Sequence, residues 1–166
     1  MQLNFYLFFA TAFIPMIVGL IYYNDKVFGK AWMDSAGLNE EALKGGNMLL
    51  ILGISYLFSI FLSVALSGMV IHQMGLYSML QDDPSFMKPE TANGQWYKSF
   101  MDMHGHSFRT FKHGVLHGVI AALFFALPLI TINALFERRS FKYIGIHAGY
   151  WTITLAIMGG VVCRFL

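Results

Sequence analysis

The chain is poor in charged residues and in cysteine. Asp, Glu, Lys and Arg make up 12% of its 166 residues, about half the share found in soluble globular domains. Hydrophobic residues make up 57% and aromatic residues 16%. These figures exclude a soluble monomer, because a chain of this size cannot bury so much apolar surface. The single cysteine, Cys163, excludes an internal disulfide and a thiolate metal site. We interpret it as a small apolar residue near a helix end.

Basic residues and catalytic motifs are also scarce. Eleven Lys and Arg stand against nine Asp and Glu, and they form no stripe of the kind that binds nucleic acid. The sequence shows no nucleophile with a neighbouring base, no paired catalytic carboxylates and no glycine-rich phosphate loop. These absences favour a non-enzymatic protein, although they do not exclude an enzyme.

Four uncharged stretches have the roughly 20 apolar residues that a helix needs to cross a bilayer. They are residues 3–23, 47–74, 114–136 and 143–163. We therefore predict an all-α fold, in which residues 1–166 form one integral membrane domain with four spans packed as a four-helix bundle. Pro15 and Pro128 predict bends within the first and third spans.

The two longer connections predict short amphipathic helices at the membrane interface. In residues 24–46, Asn39 is a candidate N-cap and Gly45 a candidate stop. In residues 75–113, turn residues precede an amphipathic stretch that starts at Trp96 and is interrupted by Gly105. The last connection, residues 137–142, is short enough to make spans 3 and 4 an antiparallel hairpin.

Small residues recur every four positions and predict close packing between helices. The stripes are Ser55, Ser59, Ser63 and Ser67 in span 2; Gly114, Gly118, Ala122 and Ala126 in span 3; and Ala148, Thr152, Ala156 and Gly160 in span 4. We interpret them as contacts within one bundle. The alternative is that one stripe, such as the serines, faces another subunit or lines a polar path.

Basic residues near the span ends predict the orientation. The first and third connections hold six of the eleven Lys and Arg, in fewer residues than the opposite side offers. Because basic residues concentrate in cytoplasmic loops, we predict that these two connections are cytoplasmic and that both termini lie outside.

The histidines have an uneven distribution. Five of the six fall on the side of the second connection: His72, His104, His106, His113 and His117. His113 and His117 share one helix face at the spacing of helical metal sites, and imidazole suits Zn, Cu, Fe or Ni. A carboxylate could come from Asp82, Asp83 or Asp102. Bis-imidazole haem ligation by His72 with His113 or His117 is a further option. The alternative is that interfacial histidines bind nothing.

Two blocks of sequence carry a family resemblance. The first is Tyr22-Tyr23 followed by Val27-Phe28-Gly29-Lys30-Ala31-Trp32-Met33. The second comprises Phe111-Lys112-His113-Gly114, Phe125-Ala126-Leu127-Pro128, Asn133, Phe136-Glu137-Arg138 and Gly149-Tyr150. Together they resemble domain-of-unknown-function family 1761, small four-span membrane proteins of bacteria. The resemblance implies a four-span fold in the bacterial cytoplasmic (inner) membrane, and it implies no activity, substrate or catalytic residue.

Two functions follow as expectations. The first is a non-enzymatic accessory or scaffolding subunit without a cofactor, which contacts the lipid bilayer and another membrane protein or a second copy of itself. The second is a redox, transport or enzymatic module that binds a transition metal or haem through the histidines of the second connection.

Overall fold

The computed structural model describes residues 4–166, and the regular structure within them is entirely helical, which confirms the all-α prediction. Leu3, where the first span was predicted to begin, lies outside the described residues. The elements are α1 (Tyr6–Thr11), α2 (Ile14–Tyr22), α3 (Gly29–Ala36), α4 (Glu40–Lys44), α5 (Met48–Val70), α6 (His72–Met79), α7 (Ala92–His104), α8 (Phe111–Ala121), a π-helical turn (Ala122–Ala126), α9 (Leu127–Phe136) and α10 (Phe141–Phe165).

Three stretches among residues 4–166 are long and apolar enough to cross a membrane: α5, residues Phe111–Phe136 and α10. The first apolar stretch, Tyr6–Tyr22, is shorter, and it divides into α1 and α2 just before Pro15. Proline is tolerated there because the first turn of a helix needs no intrahelical N–H donor.

The other predicted span boundaries shift by a few residues. The second span ends at Val70, because Ile71 has an extended backbone (φ −111°, ψ 97°) and α6 starts afresh at His72. In the third span, the π-helical turn ends two residues before Pro128. Such a turn is one way in which a helix accommodates a residue that cannot donate a backbone hydrogen bond.

Short helices occupy the two long connections, as the capping residues predict. Asn39 Oδ1 accepts a hydrogen bond from Ala42 N at 2.8 Å and starts α4. The hydroxyl of Thr91 accepts one from Gly94 N and starts α7, which ends at His104 with Gly105 as its C-cap. The predicted interruption at Gly105 is therefore present.

Helix α10 is the centre of the packing and contacts α1, α2, α5, α8 and α9. Its closest neighbour is α8, because Gly114 lies against the main chain of Gly159 and Gly118 against that of Leu155. An added Cβ at Gly118 would lie 2.6 Å from the carbonyl carbon of Leu155, inside van der Waals contact. Glycines in α8 therefore let two helix backbones touch, as small residues do in membrane helix pairs.

The serines of α5 also face the interior, except for Ser55, which is exposed. Ser59, Ser63 and Ser67 are buried, and Ser63 Oγ lies 2.6 Å from Thr11 Oγ1. This hydrogen bond joins α5 to α1. Three of the four serines thus pack within the chain, in agreement with the first of the two interpretations above.

Candidate metal centre

Three histidine side chains from two separate segments meet at the junction of α5, α6 and α8. One ring nitrogen from each histidine lies within 4.8 Å of those from the other two, and the Nε2 atoms of His72 and His113 are 2.9 Å apart. The ring of His117 lies 5.0 Å from that of His72 and 4.5 Å from that of His113, centroid to centroid. At 2.9 Å one imidazole N–H donates to the unprotonated nitrogen of the other, with the donor ring set by the tautomers.

Local structure explains how each side chain arrives there. Ile71 is fully buried, and its extended backbone turns the chain so that His72 is the first residue of α6. On α8, the hydroxyl of Thr110 accepts a hydrogen bond from His113 N and caps the helix. Gly114 and Gly118 lie against α10, and this contact fixes the rotation of α8. His113 and His117 consequently share the face next to α5.

Phe108 covers the cluster from the loop between α7 and α8. Its backbone is left-handed, with φ at 61°, a conformation that bulky side chains rarely adopt. Its ring centroid lies 5.1 Å from that of His113 and 5.9 Å from that of His72. Residues held in such strained conformations are frequent at functional sites, and here the strain places an aromatic ring beside two imidazoles.

Two buried polar side chains hold the loop and the α5 end in place. The thiol of Cys163 lies 3.3 Å from the carbonyl oxygen of Val70 and 3.4 Å from that of Phe108. Gln73 Nε2 donates to the carbonyl oxygens of His104 and Ser107 at 2.8 and 2.9 Å. Gln73 Oε1 is buried and accepts no hydrogen bond among the described residues. Sequence reasoning did not identify Gln73 or Phe108 as part of this region.

A cavity of about 460 Å³ opens beside the cluster. His72, Gln73, His104 and Phe108 contribute to its lining. The cavity therefore connects one ring of the cluster, that of His72, with open space that can admit water or a small ligand.

The cluster contains no anionic ligand: among residues 4–166, no Asp, Glu or Cys joins the three imidazoles. Two of the carboxylates considered from the sequence have other partners. Hydrogen bonds from Ser85 and Asn93 hold the pKa of Asp83 below its ordinary value. Asp102 pairs with Lys98 at 2.7 Å. A site built on this cluster would thus use neutral nitrogen ligands only.

The remaining two predicted histidines lie nearby but outside the cluster. The ring of His104 packs at a tilt against that of Phe100, 4.9 Å between centroids, and lines the same cavity. His106 lines a different cavity together with Arg109 and Arg164. The structure thus brings together His72, His113 and His117 and keeps the other two apart from them.

The sixth histidine belongs to an aromatic group at the opposite end of α10, which the sequence analysis did not anticipate. His147 Nδ1 lies 3.1 Å from the hydroxyl of Tyr23. The rings of Tyr143 and Trp32 pack against this pair, and the hydroxyl of Tyr150 donates to the carbonyl oxygen of Pro15 at 2.9 Å. The side chains of this group pack against one another, and their contacts join α2, α3 and α10.

Comparison with known proteins gives one match. The model of the family described as "Protein of unknown function (DUF1761)" matches residues 7–163, which confirms the resemblance that the two sequence blocks indicate. No curated protein and no solved structure matches the chain.

Proposed function

The chain belongs to the DUF1761 family of proteins of unknown function, and from the geometry of its own residues we propose that it binds a transition-metal ion in the membrane. His72, His113 and His117 are the ligands in this proposal. The single observation that carries it is that three ring nitrogens, one from each histidine, lie within 4.8 Å of one another. His113 and His117 are on adjacent turns of α8, and His72 precedes them by 41 residues or more.

The distances suit a first-row metal ion. With metal to nitrogen bonds of about 2.1 Å, two ligand nitrogens of a tetrahedral site lie about 3.4 Å apart. The nitrogens of the cluster range from 2.9 Å apart to within 4.8 Å, so rotations of the three rings are enough to reach that geometry. Imidazole ligands suit Zn, Cu, Fe and Ni.

In this proposal, the cavity that His72 lines leaves room for a fourth ligand. Three protein ligands with one open position are typical of metal sites that hold a water molecule or a substrate. This feature favours a site that exchanges ligands over one that is purely structural.

A single ion is better supported than haem. Bis-imidazole ligation needs two imidazoles on opposite faces of a porphyrin, with the macrocycle between them. The rings of His72 and His113 are 4.9 Å apart between centroids and their nitrogens 2.9 Å apart, which leaves no space for a porphyrin.

Metal titration of the purified full chain in detergent tests this proposal. After chelation, the wild type is expected to bind one equivalent of Zn²⁺ or Co²⁺, with an absorption band for Co²⁺ that reports nitrogen ligands. His72→Ala, His113→Ala and His117→Ala should each weaken binding by about 100-fold or more, since even outer ligand partners contribute 10 to 100-fold.

His104→Ala and His106→Ala are the matched controls for that titration, because they remove neighbouring imidazoles outside the cluster. Both should bind the ion as the wild type does. Absence of stoichiometric binding in the wild type, or equal losses in the two controls, would contradict the proposal.

We propose an accessory or scaffolding role within a membrane complex as the second candidate. Its support is the open surface of α5, where a side chain at Gly53 or Gly68 would meet no atom within 4 Å and where Leu49, Phe58 and Phe61 are exposed. Small residues on an open helix face allow another helix to approach closely.

Site-specific crosslinking tests that role. Gly53→Cys in a Cys163→Ser background should crosslink in native membranes to a second copy or to one partner band. Gly145→Cys is the control, because position 145 is equally open but lies on α10. A product at neither position, or the same products at both, would contradict a specific interface on α5.

We further propose a four-helix bundle in the bacterial cytoplasmic membrane, crossed four times, with both termini outside. The distribution of Lys and Arg supports this orientation, and Asn4 N donates to Leu166 O at 3.4 Å, so Asn4 and Leu166 lie at the same end of the bundle. Alkaline phosphatase fused after Leu166 should be active. Fluorescence from green fluorescent protein fused at the same position would instead show that the C-terminus is cytoplasmic and would contradict the orientation.

A further inference from the structure

A separate cavity, of about 570 Å³, lies where the end of α5 meets α6, α7 and the loop between them. Its volume falls in the range of about 300–1,000 Å³ that is typical of small-molecule sites. It shares no lining residue with the cavity beside the histidine cluster. Helix α6 contributes to both cavities, but with different residues: Met74 and Tyr77 line this one, whereas His72 and Gln73 line the other.

The lining of this cavity carries no charge. Among the residues that the structure describes, no Asp, Glu, Lys, Arg or His contributes to it. An ionised ligand would lose part of its hydration here without finding a counterion, which is unfavourable. The cavity therefore selects an uncharged ligand.

Two tyrosine rings in the lining are positioned by one buried residue. Phe86 is 4% exposed, and the rings of Tyr77 and Tyr97 pack edge-on against it, with centroid distances of 5.6 and 5.1 Å. Burial raises the pKa of Tyr97, and the neighbouring Tyr77 adds to this effect, so Tyr97 keeps its proton at physiological pH. Phenol hydroxyls are hydrogen-bond donors, and the side-chain amide of Gln81, which lines the same cavity, is another. The polar part of the cavity thus suits a ligand with acceptor oxygens.

The apolar part of the cavity lies at the end of a membrane span. Gly68 lines it from the last turn of α5, a helix long and apolar enough to cross a membrane. A Cβ at this position would meet no atom within 4 Å, so the cavity is open at Gly68 on the surface of α5. Met74 and Met87 also line it, and their flexible thioethers adapt to the shape of a ligand and contact rings favourably. A molecule dissolved in the bilayer can therefore reach this cavity directly.

We propose that this cavity binds an uncharged, lipid-soluble carbonyl compound of the quinone class. A carbonyl oxygen of the quinone accepts hydrogen bonds from the hydroxyls of Tyr77 and Tyr97. Its ring packs against Met74 and Met87, and its hydrocarbon tail leaves the cavity past Gly68. A quinone matches the lining because it combines a flat ring, acceptor oxygens and an apolar tail without a charge. None of the proposed metal ligands takes part, so this site and the metal centre can fail independently.

Binding of decylubiquinone to the full chain tests the proposal. The purified protein in phosphatidylcholine nanodiscs is titrated with the quinone, and native mass spectrometry counts the bound molecules. The wild type should bind one equivalent saturably. Tyr77→Phe and Tyr97→Phe should each weaken binding about fivefold, as expected when one neutral hydrogen bond is lost. Both variants keep the ring that packs against Phe86, so the fold of this region is retained.

A second variant tests the opening at the end of α5. Gly68→Leu places a side chain in the space that the ligand occupies and should weaken binding about tenfold or more. Gly53→Leu is its matched control, because position 53 is an equally open glycine of α5 that lies outside the cavity. Tyr6→Phe is the control for the phenols, because Tyr6 is exposed and does not line the cavity. Both controls should bind decylubiquinone as the wild type does.

The absence of saturable binding by the wild type, or equal losses in the cavity variants and their controls, would overturn the site. Dioleoylglycerol, titrated in the same way, tests the class of ligand, because it is also uncharged and has ester carbonyls but no ring. Tighter binding of dioleoylglycerol than of decylubiquinone would refute the assignment to a quinone, and weaker binding would support it.

Discussion

Substitution of Gly118 by alanine should separate the two most closely packed helices of the protein. The new Cβ would lie 2.6 Å from the carbonyl carbon of Leu155 and 2.8 Å from the Cα of Ala156. Carbon atoms are in favourable contact at about 3.5 to 4.0 Å. Both neighbours are main-chain atoms of α10, which cannot rotate away, so α8 must move outward by about 1 Å.

The expected energetic effect has two opposing parts. Overpacking at a close contact costs about 1–3 kcal/mol, whereas replacing glycine by alanine within a helix contributes up to about 1 kcal/mol of stability. Gly145→Ala carries the second effect alone, because a Cβ at position 145 of α10 meets nothing within 4 Å. The difference in unfolding free energy between the two variants therefore isolates the clash, at about 1–3 kcal/mol.

The measurement is reversible unfolding of both variants in mixed micelles of mild detergent and sodium dodecyl sulfate, followed by circular dichroism. Gly118→Ala should unfold at a lower mole fraction of dodecyl sulfate than Gly145→Ala, which should match or exceed the wild type. Equal midpoints for the two variants would refute the close backbone contact between α8 and α10.

Three further predictions concern single contacts. Thr11→Val should lower the unfolding free energy by about 1 kcal/mol, because Ser63 loses its buried hydrogen-bond partner. The double variant Thr11→Val, Ser63→Ala should recover most of the lost stability, because no polar group is then left unpaired. Thermal unfolding of the two variants measures these differences. The hydrogen bond and charge of Lys142 lower the pKa of Asp34, so this pair stabilises the fold fully above the ordinary pKa of about 4 and loses its effect as pH falls through the lowered value. The difference in melting temperature between wild type and Asp34→Asn should accordingly vanish in acid, and a difference that grows in acid would show the opposite sign. Cys163 is the single cysteine and is buried, so a maleimide should label the protein only after denaturation; rapid labelling of the native protein would contradict the packing of α10.

Features that depend on neighbours in sequence could be predicted. Apolar length locates the long helices, because a backbone in lipid must satisfy its hydrogen bonds internally. Asn39 identifies the start of α4, since a cap acts on the next three residues. The spacing of Gly114 and Gly118 predicts one packed face, and the spacing of His113 and His117 predicts one face with two imidazoles.

Features that depend on distant contacts could not be predicted. Nothing in the sequence around Ile71 signals a break, because the residue is neither Gly nor Pro, and the extended backbone there depends on burial against the core. A sequence reading that misses this break makes His72 part of α5. It therefore cannot predict that His72 approaches His113. The left-handed backbone of Phe108 has no sequence signal either, since this conformation is typical of Gly or Asn.

The separation of the clustered histidines along the chain would give the proposed metal ion a further effect. His72 and His113 are 41 positions apart, so an ion held by both would close a loop that contains α6 and α7. Closing a loop of that length removes conformational entropy from the unfolded chain worth about 4 kcal/mol. In a protein with one cysteine, the ion would act as the crosslink that a disulfide supplies in other proteins. The folding of the second connection would then depend on the concentration of available metal.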